Sequence, residues 1–532
     1  MTDQAQDAQT QIQELQKKIM QLQAQVEEPQ KSPYDTYQTS LTSRYCSNEM
    51  TSLFSQRSRH STWRKLWLGL AEAEASLGID VVTAEALDQM RAHLTVSDED
   101  FATASIEEKI RRHDVMAHVH AFGVVAPAAA GIIHLGSTSC FVTDNTELIL
   151  MRDALDILLN KLAKVISNLA AFANRWKSEP TLGLTHDQPA QPITVGRRAA
   201  QWAQDLMMDL EAIGAVRSGL KFRGAQGTTG TQASFLEIFQ GDHTKCDRLN
   251  ELLCEKFGFR ACYDISTQTY TRKVDLIVAN AVAGLAVSAH KMCTDIRLLA
   301  SNKEIEEPKE ASQIGSSGKS HRTLIIFRAS SVMISMPYKR NPMRSERICS
   351  LSRALKAKPA SFANTMSTQW FERTLDDSAI RRIDIPEMFL LADAILIGLD
   401  NVSDGLVVYP KRIRSRILEE LPFMVTEAII MKLVAKGASR QEAHEKIRVL
   451  SNQASSTVKD EGKPNDLIER IRVNEYFKPI WGELDSMLQP ELYIGRCPEI
   501  VNKFCGPGGV VEKALAPYQQ YILKSTTAQL NV

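Results

Sequence analysis

The first segment able to do chemistry is a short polar run with a histidine, Thr185-His186-Asp187-Gln188-Pro189. A histidine in a loop next to a helix start can act as a general acid or base, because its pKa lies near neutrality. A single histidine of this kind is more often a hydrogen-bonded surface residue. The segment alone therefore leaves both interpretations open.

A second polar segment is Arg111-Arg112-His113-Asp114, which is followed by His118 and His120. A metal site would combine the three histidines with Asp114, but the set lacks the H-E-x-x-H spacing and has no cysteine partner. Arg112 and His113 beside a carboxylate fit an anionic substrate better. A solvated, charged helix face is an equally favoured alternative.

Three further segments combine glycine, hydroxyl groups or cations. Residues 227–232 read Gly-Thr-Thr-Gly-Thr-Gln and could offer backbone N–H groups to an anion, although a plain turn is the favoured interpretation. Lys339 and Arg340 lie in a proline-bounded loop before a helix start, where a carboxylate could bind. The segment 372–378 carries arginine, aspartates and serine, and two arginines follow it. Cations, hydroxyls and one histidine, without a metal set or cofactor loop, predict cofactor-free acid/base chemistry on a polyanion.

Long apolar segments separate the polar ones and must position them. Residues 144–176 give the longest helical pattern, with Asp144 as the predicted N-cap and Glu147 completing a capping box. Apolar residues on more than one face predict a helix contacted from several sides. Similar patterns occur at 63–77, 107–122, 191–220, 270–306, from 341 onwards and at 386–406. Together they predict an elongated all-α bundle.

The composition narrows the class of protein. The 532 residues include 63 Lys plus Arg and 63 Asp plus Glu, a balance that argues against binding to nucleic acid or to an anionic membrane. The most apolar stretch, 276–289, is interrupted by Asn280 and is too short to span a bilayer. Nine cysteines without a C-x-x-C pair, and an amino terminus without an apolar signal core, predict reduced thiols in a cytoplasmic protein.

The first 37 residues differ from the rest of the chain. They are rich in glutamine, and apolar residues from Ile12 to Val26 follow the alternating three-and-four spacing of a coiled coil. Two heptads are marginal alone. The segment is predicted to be an appendage without chemistry, with an oligomerisation aid as the alternative.

The segments around residues 315–342 resemble a known signature. Gly315-Ser316-Ser317, followed later by Met336-Pro337-Tyr338-Lys339-Arg340-Asn341-Pro342, is similar to that of the fumarase/aspartase superfamily. Within it, other segments resemble the adenylosuccinate lyase family, most closely its animal members. These segments are Ser43-Arg44-Tyr45, residues 112–118, Thr138-Ser139-Cys140, Thr185-His186, residues 267–270, residues 344–347 and residues 374–378.

The resemblance implies a fold and a reaction. The fold would have three domains, with a central long-helix bundle that forms the core of a homotetramer. The boundaries would be an appendage at 1–37, a helical domain at 38–138, the bundle at 139–408 and a carboxyl-terminal domain at 409–532. The reaction would be the β-elimination of fumarate from adenylosuccinate, and from the succinylated aminoimidazole carboxamide ribotide SAICAR. Such carbon–nitrogen lyases need no cofactor or metal, act on small molecules, and build each active site from three subunits.

The resemblance also assigns residues. His186 would be the general acid and Ser316 the general base, with Lys339 and loop N–H groups stabilising the serine oxyanion. Arg44, Tyr45, Arg112, His113 and Asp114 would meet the phosphate and purine. The succinyl group would be held by Thr138, Ser139, Gln268 and Lys339. Further substrate contacts would come from Arg347, Arg373, Ser378 and Arg382.

One segment departs from the family pattern. Residues 318–335 stand where the family has one alanine, and they separate Ser316 from Lys339. A misplacement of about 1 Å between catalytic groups can cost about a hundredfold in rate. Ser330 and Ser331 form a weaker second match that could replace Ser316. The sequence therefore leaves two alternatives to an active lyase: a catalytically impaired subunit or gene-model variant that keeps the fold, and, less favoured, an argininosuccinate lyase-like enzyme.

Overall fold

The computed structural model describes residues 35–308, 340–528 and 530. Helices dominate these residues. In chain order the α-helices are α1 Asn48–Leu53, α2 Gln56–Ser76, α3 Ala84–Ala92, α4 Asp98–Arg111, α5 Asp114–Val125, α6 Ser139–Arg175, α7 Val195–Gly219, α8 Ala233–Ile238, α9 His243–Phe257, α10 Lys273–Ser301, α11 Met343–Ser367, α12 Asp377–Asp404, α13 Pro410–Met424, α14 Thr426–Ala435, α15 Arg440–Lys459, α16 Leu467–Val473, α17 Leu484–Met487, α18 Cys497–Cys505, α19 Val510–Leu515 and α20 Gln519–Lys524.

The remaining elements are short. Two antiparallel pairs of strands occur, β1 with β2 and β3 with β4. A π-helical turn and several 3₁₀ turns complete the described chain. The strands are β1 Pro180–Thr185, β2 Gln188–Thr194, β3 Ile305–Glu306 and β4 Val407–Val408; the turns are Leu41–Tyr45 (π), Pro127–Ala129, Glu475–Glu483, Pro490–Tyr493 and Ala516–Tyr518 (3₁₀).

Five long helices, α6, α7, α10, α11 and α12, pack side by side as a central bundle. The 37 residues of α6 span about 55 Å at ~1.5 Å per residue. Its stripe of Leu148, Leu155 and Leu162 is fully buried, and so is Val165 on another face. The predicted all-α bundle, with a helix contacted on several sides, is confirmed.

Two predicted helix starts are wrong for the same physical reason. Helix α6 begins at Ser139, and Asp144 is buried inside it and paired with Arg272 rather than capping it. Helix α12 begins at Asp377, and the predicted first residue Pro386 lies within it. Buried ion pairs of Asp144, in the second turn of α6, and of Asp377, the first residue of α12, stabilise the beginnings of these helices. Sequence patterns cannot reveal such distant partners.

The predicted helical segment 107–122 is two helices. Helix α4 ends at Arg111, and Arg112 takes the left-handed conformation with φ 57°. His113 is extended and caps α5, because its Nδ1 accepts from the N–H of Met116 at 3.4 Å. The break leaves Arg112 and His113 exposed at a corner between two helices.

The loop predicted around His186 is the tip of a β-hairpin. β1 and β2 pair through a two-residue turn in which His186 and Asp187 have φ of 56° and 58°, the type I′ pattern that fits the twist of a hairpin. Helix α7 then begins at Val195, four residues later than predicted, with Thr194 Oγ1 accepting from the N–H of Arg197 at 3.1 Å. Pro189 and Pro192 favour an edge strand over a helix there.

By length and composition alone, helix α10 is long and apolar enough to cross a membrane. The apolar stretch at 276–289, which the sequence prediction considered, is only part of this helix and is too short to span a bilayer. Half of its most apolar window is already buried within the bundle. Its burial alongside α7, α11 and α12 is typical of a core helix.

The predicted domain boundaries fall at element ends. Residue 138 immediately precedes α6, and residue 408 closes β4 before α13. The boundaries themselves stay a prediction. The heptads of the appendage and the insert at 318–335 lie outside the described residues.

Candidate functional site

Seven of the predicted substrate-binding residues line one cavity of about 360 Å³ at the amino end of α6. We call it the amino-end cavity. Its walls come from the α4–α5 corner, the first turn of α6, the loop before α12 and the first turn of α12. The seven residues are Arg112, His113, Asp114, Ser139, Arg373, Ser378 and Arg382. Residues remote in sequence are thus brought together around a surface rich in arginines and carboxylates.

A buried ion-pair network forms the floor of the amino-end cavity. Arg272 donates to Asp144 at 2.9 Å and to Asp377 at 2.6 Å, and all three side chains are at most 1% exposed. Arg373 pairs with Asp377 at 3.0 Å from the cavity side. Removing one partner of such a network leaves an uncompensated buried charge, so the network fixes where Arg373 stands.

Asp114 ties the two sides of the cavity together through Arg382, whose Nη2 lies 2.5 Å from Asp114 Oδ2. Burial works to raise the pKa of Asp114, but the hydrogen bond and charge of Arg382 outweigh it and hold that pKa below its usual value. The carboxylate is therefore ionised at neutral pH and can accept hydrogen bonds.

The start of α6 offers groups suited to a carboxylate. Thr138 occupies the N-cap position, and no acidic residue lies in the first turn. The hydroxyl oxygens of Ser137 and Thr138 are buried without a hydrogen-bond partner. Gln268 reaches the same turn, with its Oε1 3.9 Å from the Sγ of Cys140. A helix amino end with free N–H groups and unpartnered hydroxyls can bind an anion.

Arg44, Tyr45 and Arg347 lie in a second cavity of about 330 Å³, also lined by Ser47 and Lys161. We call it the Arg44 cavity. The guanidinium carbons of Arg44 and Arg347 lie 5.9 and 5.3 Å from the centre of the Tyr45 ring, within the range of a cation–π interaction. The ring therefore gathers two cations at one surface.

A buried clamp holds the turn that carries Arg44. Asp393, fully buried on α12, accepts from the N–H of Ser47 at 2.7 Å and from its hydroxyl at 3.0 Å. Lys161 on α6 donates to Ser47 Oγ at 2.8 Å and pairs with Asp393. Sequence reasoning missed all three residues. Ser47 could have been found as the N-cap of α1 next to Arg44, whereas nothing in the sequence links it to Asp393, 346 residues away.

His186 is exposed at the hairpin tip. Its neighbours Thr185 and Asp187 line a third cavity of about 1110 Å³, together with Arg197, Arg198 and Lys291. We call it the hairpin cavity. Left-handed φ values at two non-glycine residues are mildly strained, and such strain clusters at functional sites. Ser316, Lys339 and the alternative pair Ser330 and Ser331 lie outside the described residues.

The three cavities lie at different levels along α6. Ser139, in its first turn, lines the amino-end cavity, and Lys161 lines the Arg44 cavity 22 residues later, about 33 Å away at ~1.5 Å per residue. The hairpin follows the carboxyl end of the helix. One chain therefore separates the predicted residues into three groups.

The histidines of the metal alternative are also separated. His113 faces the amino-end cavity, whereas His118 is buried and stacks on His60 at 4.0 Å between ring centres. Burial, with a smaller contribution from Arg64, lowers the pKa of His118 to about 4. Burial also lowers the pKa of His60 to about 3. Among residues 35–308, 340–528 and 530, no group of three or more potential ligands could hold a metal ion.

Comparisons with known proteins identify the family of the chain. Residues 42–355 match the family described as Lyase, and residues 422–504 match the family described as Adenylosuccinate lyase C-terminus. The chain is 55% identical to adenylosuccinate lyase of Saccharomyces cerevisiae, over 94% of this chain and 99% of the yeast protein. It is 51% identical to adenylosuccinate lyase of Schizosaccharomyces pombe, over 92% of this chain and 98% of the relative.

The fold is shared with solved structures of lower identity. The 3-carboxy-cis,cis-muconate lactonizing enzyme of Pseudomonas putida superimposes with a TM-score of 0.72 at 22% identity, covering 90% of this chain and 98% of that one. The likeness supports the predicted fold class. Identity above half over nearly the full length, together with two matching families, decides the relationship: the chain belongs to the adenylosuccinate lyase family of the fumarase/aspartase superfamily.

Proposed function

We propose that this protein cleaves adenylosuccinate to AMP and fumarate, and SAICAR to the corresponding carboxamide ribotide and fumarate, by β-elimination without a cofactor. The observation that carries the proposal is the amino-end cavity, where Arg112, Arg373 and Arg382 line the same space as Ser139 in the first turn of α6. The unpartnered hydroxyls of Ser137 and Thr138 directly precede that turn. Both substrates carry a phosphate and a succinyl group, so a cavity with arginine, N–H and O–H donors fits them.

The elimination requires a base that removes a proton next to a carboxylate and an acid that protonates the departing nitrogen. We assign these roles to Ser316 and His186, following the resemblance. The intermediate carries extra negative charge on the carboxylate, which preorganised donors and cations stabilise. Thr138, Ser139 and Gln268 are suited to this task, because the structure gathers them at one helix end. Lys339 would stabilise the serine oxyanion.

The active site would be assembled from several copies of the chain in a homotetramer. Arg44, Ser139 and His186 belong to levels spread along the roughly 55 Å of α6, so one chain cannot bring them to one small substrate. Helix α10 also presents exposed apolar side chains, Ile277, Val287 and Leu298. Side-by-side association of bundles would cover this surface and bring different levels of α6 together. A monomer should therefore be inactive.

We also place the protein in the cytoplasm, because all nine cysteines are free thiols and the reaction consumes phosphorylated small molecules.

The test is turnover by purified full-length protein. We expect adenylosuccinate absorbance to fall as fumarate appears, and argininosuccinate to remain uncleaved. His186→Ala should lower kcat by about 10²- to 10⁴-fold, the usual range for a lost general acid. His444→Ala, at an exposed site on α15, is the matched control and should leave kcat unchanged.

Intact tetramers that turn over neither adenylosuccinate nor SAICAR would contradict the proposal for this chain. Replacing residues 318–335 by one alanine then decides the cause. Recovered turnover would identify the insert as the fault and the chain as an impaired subunit, whereas continued inactivity would place the fault elsewhere. Cleavage of argininosuccinate instead would favour the neighbouring lyase specificity.

A further inference from the structure

Two thiols lie side by side away from the three cavities. Cys254, near the end of α9, and Cys262, in the segment that follows, have their Sγ atoms 3.5 Å apart. Neither residue lines the amino-end, Arg44 or hairpin cavity. We propose that Cys254 and Cys262 are an oxidation site, at which a hydroperoxide converts the two thiols into a reversible disulfide.

The backbone on both sides of the pair is fixed. Phe222 accepts from the N–H of Tyr263 at 2.8 Å and donates to the carbonyl of Ala261 at 2.9 Å, which holds Cys262 in an extended bridge. On the other side, the carbonyl of Cys254 accepts from the N–H of Phe259 at 3.0 Å. A disulfide needs sulfurs about 2.05 Å apart, so the thiols must approach by roughly 1.5 Å, a distance that side-chain rotation can supply.

Stacked aromatic rings hold together the two chain segments that carry Cys254 and Cys262. Phe222 stacks on Phe259 at 4.8 Å and on Phe257 at 5.7 Å between ring centres. The pair therefore meets in the folded protein without rearrangement of the chain, and the encounter is intramolecular. Proximity of this kind raises the rate of the bond-forming step relative to reaction with a separate thiol.

A hydrogen bond within the pair favours the reactive thiolate form of Cys254. A hydrogen bond from Cys262 lowers the pKa of the Cys254 thiol, against the opposing effect of burial. The thiolate of Cys254 attacks one oxygen of the peroxide, forming a sulfenic acid and releasing hydroxide or alkoxide. The hydrogen bond to Cys254 and burial raise the pKa of the Cys262 thiol, so Cys262 reacts as the thiol: its sulfur attacks the sulfenic sulfur, its proton passes to the departing hydroxide, and water leaves. In sum, two thiols are oxidised to one disulfide, and the peroxide is reduced to water and, for an organic peroxide, an alcohol.

Exposure to solvent favours oxidation of the Cys254–Cys262 pair over oxidation of the other pair of interacting thiols. Cys293 and Cys349 also interact, and the pKa of Cys349 is lowered to about 6 by a hydrogen bond from Cys293. Both of those side chains are at most 1% exposed, so a peroxide does not reach them in the folded chain. Cys254 is 5% exposed and Cys262 is only partly buried, so a small oxidant approaches the Cys254–Cys262 pair from the side of Cys262.

The test is peptide mapping of the full-length protein after treatment with hydrogen peroxide and alkylation without reduction. Trypsin cuts after Lys256 and Arg260, so the disulfide joins the separate peptides 249–256 and 261–272. We expect this linked species to form before any other cysteine is oxidised, and dithiothreitol to return both peptides.

Matched variants sharpen the result. Cys254→Ser and Cys262→Ser should each abolish the linked species, and Cys246→Ser, at a buried position of the same helix, should leave it intact. The wild-type map decides the proposal even if one variant fails to fold. Alkylation of both Cys254 and Cys262 while other thiols are oxidised would overturn the proposal, as would a Cys293–Cys349 link formed first.

Discussion

The amino-end cavity and the Arg44 cavity both carry arginines but differ in charge balance and in how they are held. Six arginines face five carboxylates in the first, and four cations face one carboxylate in the second. The first rests on a network of Arg272, Asp144 and Asp377 that is at most 1% exposed. The second rests on one lysine, Lys161, which bridges a backbone turn and Asp393. The difference shows that arginines can be positioned either by buried ion pairs with the arginines' own neighbours or by a buried ion pair that anchors the backbone turn carrying them.

The separation of the two cavities teaches a second point. About 33 Å of α6 lies between Ser139 and Lys161, so neither cavity can complete the other within one chain. If the chain forms the proposed homotetramer, the length of α6 would set which levels of neighbouring bundles meet.

The largest expected effect is on the network below the amino-end cavity. Arg272→Met should lower the free energy of unfolding by about 3–5 kcal/mol, because the buried carboxylates of Asp144 and Asp377 lose their shared and most buried partner. Urea unfolding measures this. Asp156→Ala breaks the exposed pair with Arg217 and should cost less than about 1 kcal/mol. Equal losses of unfolding free energy in Arg272→Met and Asp156→Ala would show that the buried network contributes no more to stability than an exposed ion pair.

The next effect tests whether the cavities are halves of one site. Arg44→Ala and Arg382→Ala should each lower kcat/KM by roughly 10- to 150-fold, since each removes a charge-assisted contact worth roughly 1.5–3 kcal/mol. Tetramers refolded from a mixture of the two variants should recover part of the wild-type activity. Mixed tetramers as inactive as the parents would mean that both residues act within one chain.

A pH effect of intermediate size should arise beside the amino-end cavity. His118 has a folded pKa of about 4, below the 6.5 of the unfolded chain. As pH falls from about 6.5 to about 4, the unfolded state takes up a proton that the folded state refuses, so stability decreases. Between pH 7 and pH 5 we expect a loss of roughly 2 kcal/mol from this group.

Urea unfolding at both pH values measures that loss. His118→Phe, which keeps a ring against His60, should flatten the pH dependence, whereas His444→Phe at an exposed position should not. An unchanged slope in His118→Phe would assign the pH dependence to other groups.

The smallest effect concerns the clamp of the Arg44 cavity. Ser47→Ala removes the N-cap of α1 and the contacts to Lys161 and Asp393. An N-cap is worth about 1 kcal/mol, and the loosened turn should raise KM severalfold with little change in kcat. Ser55→Ala removes the equivalent cap of α2; steady-state kinetics should show no KM change there. A fall in kcat alone would argue against a positioning role for Ser47.

Much of the fold and the site could be predicted from sequence because the relevant information is local. Periodic apolar residues specify the long helices whatever their neighbours, and polar segments such as residues 112–114 and 138–139 are recognisable as they stand. Helix ends were less predictable. Asp144 looks like a cap because a cap and a buried ion-pair partner have the same side chain, and only the position of Arg272 distinguishes them.

By itself, the sequence determined the all-α bundle, the family and the residue types suited to a polyanion, since each follows from local pattern or from motifs. The tertiary structure decided which of those residues meet. It gathered seven of them at one end of α6, placed Arg44 and Tyr45 at another level, and set His186 on a hairpin tip. The physical reason is that a long rigid helix fixes distances between residues that its sequence lists only in order.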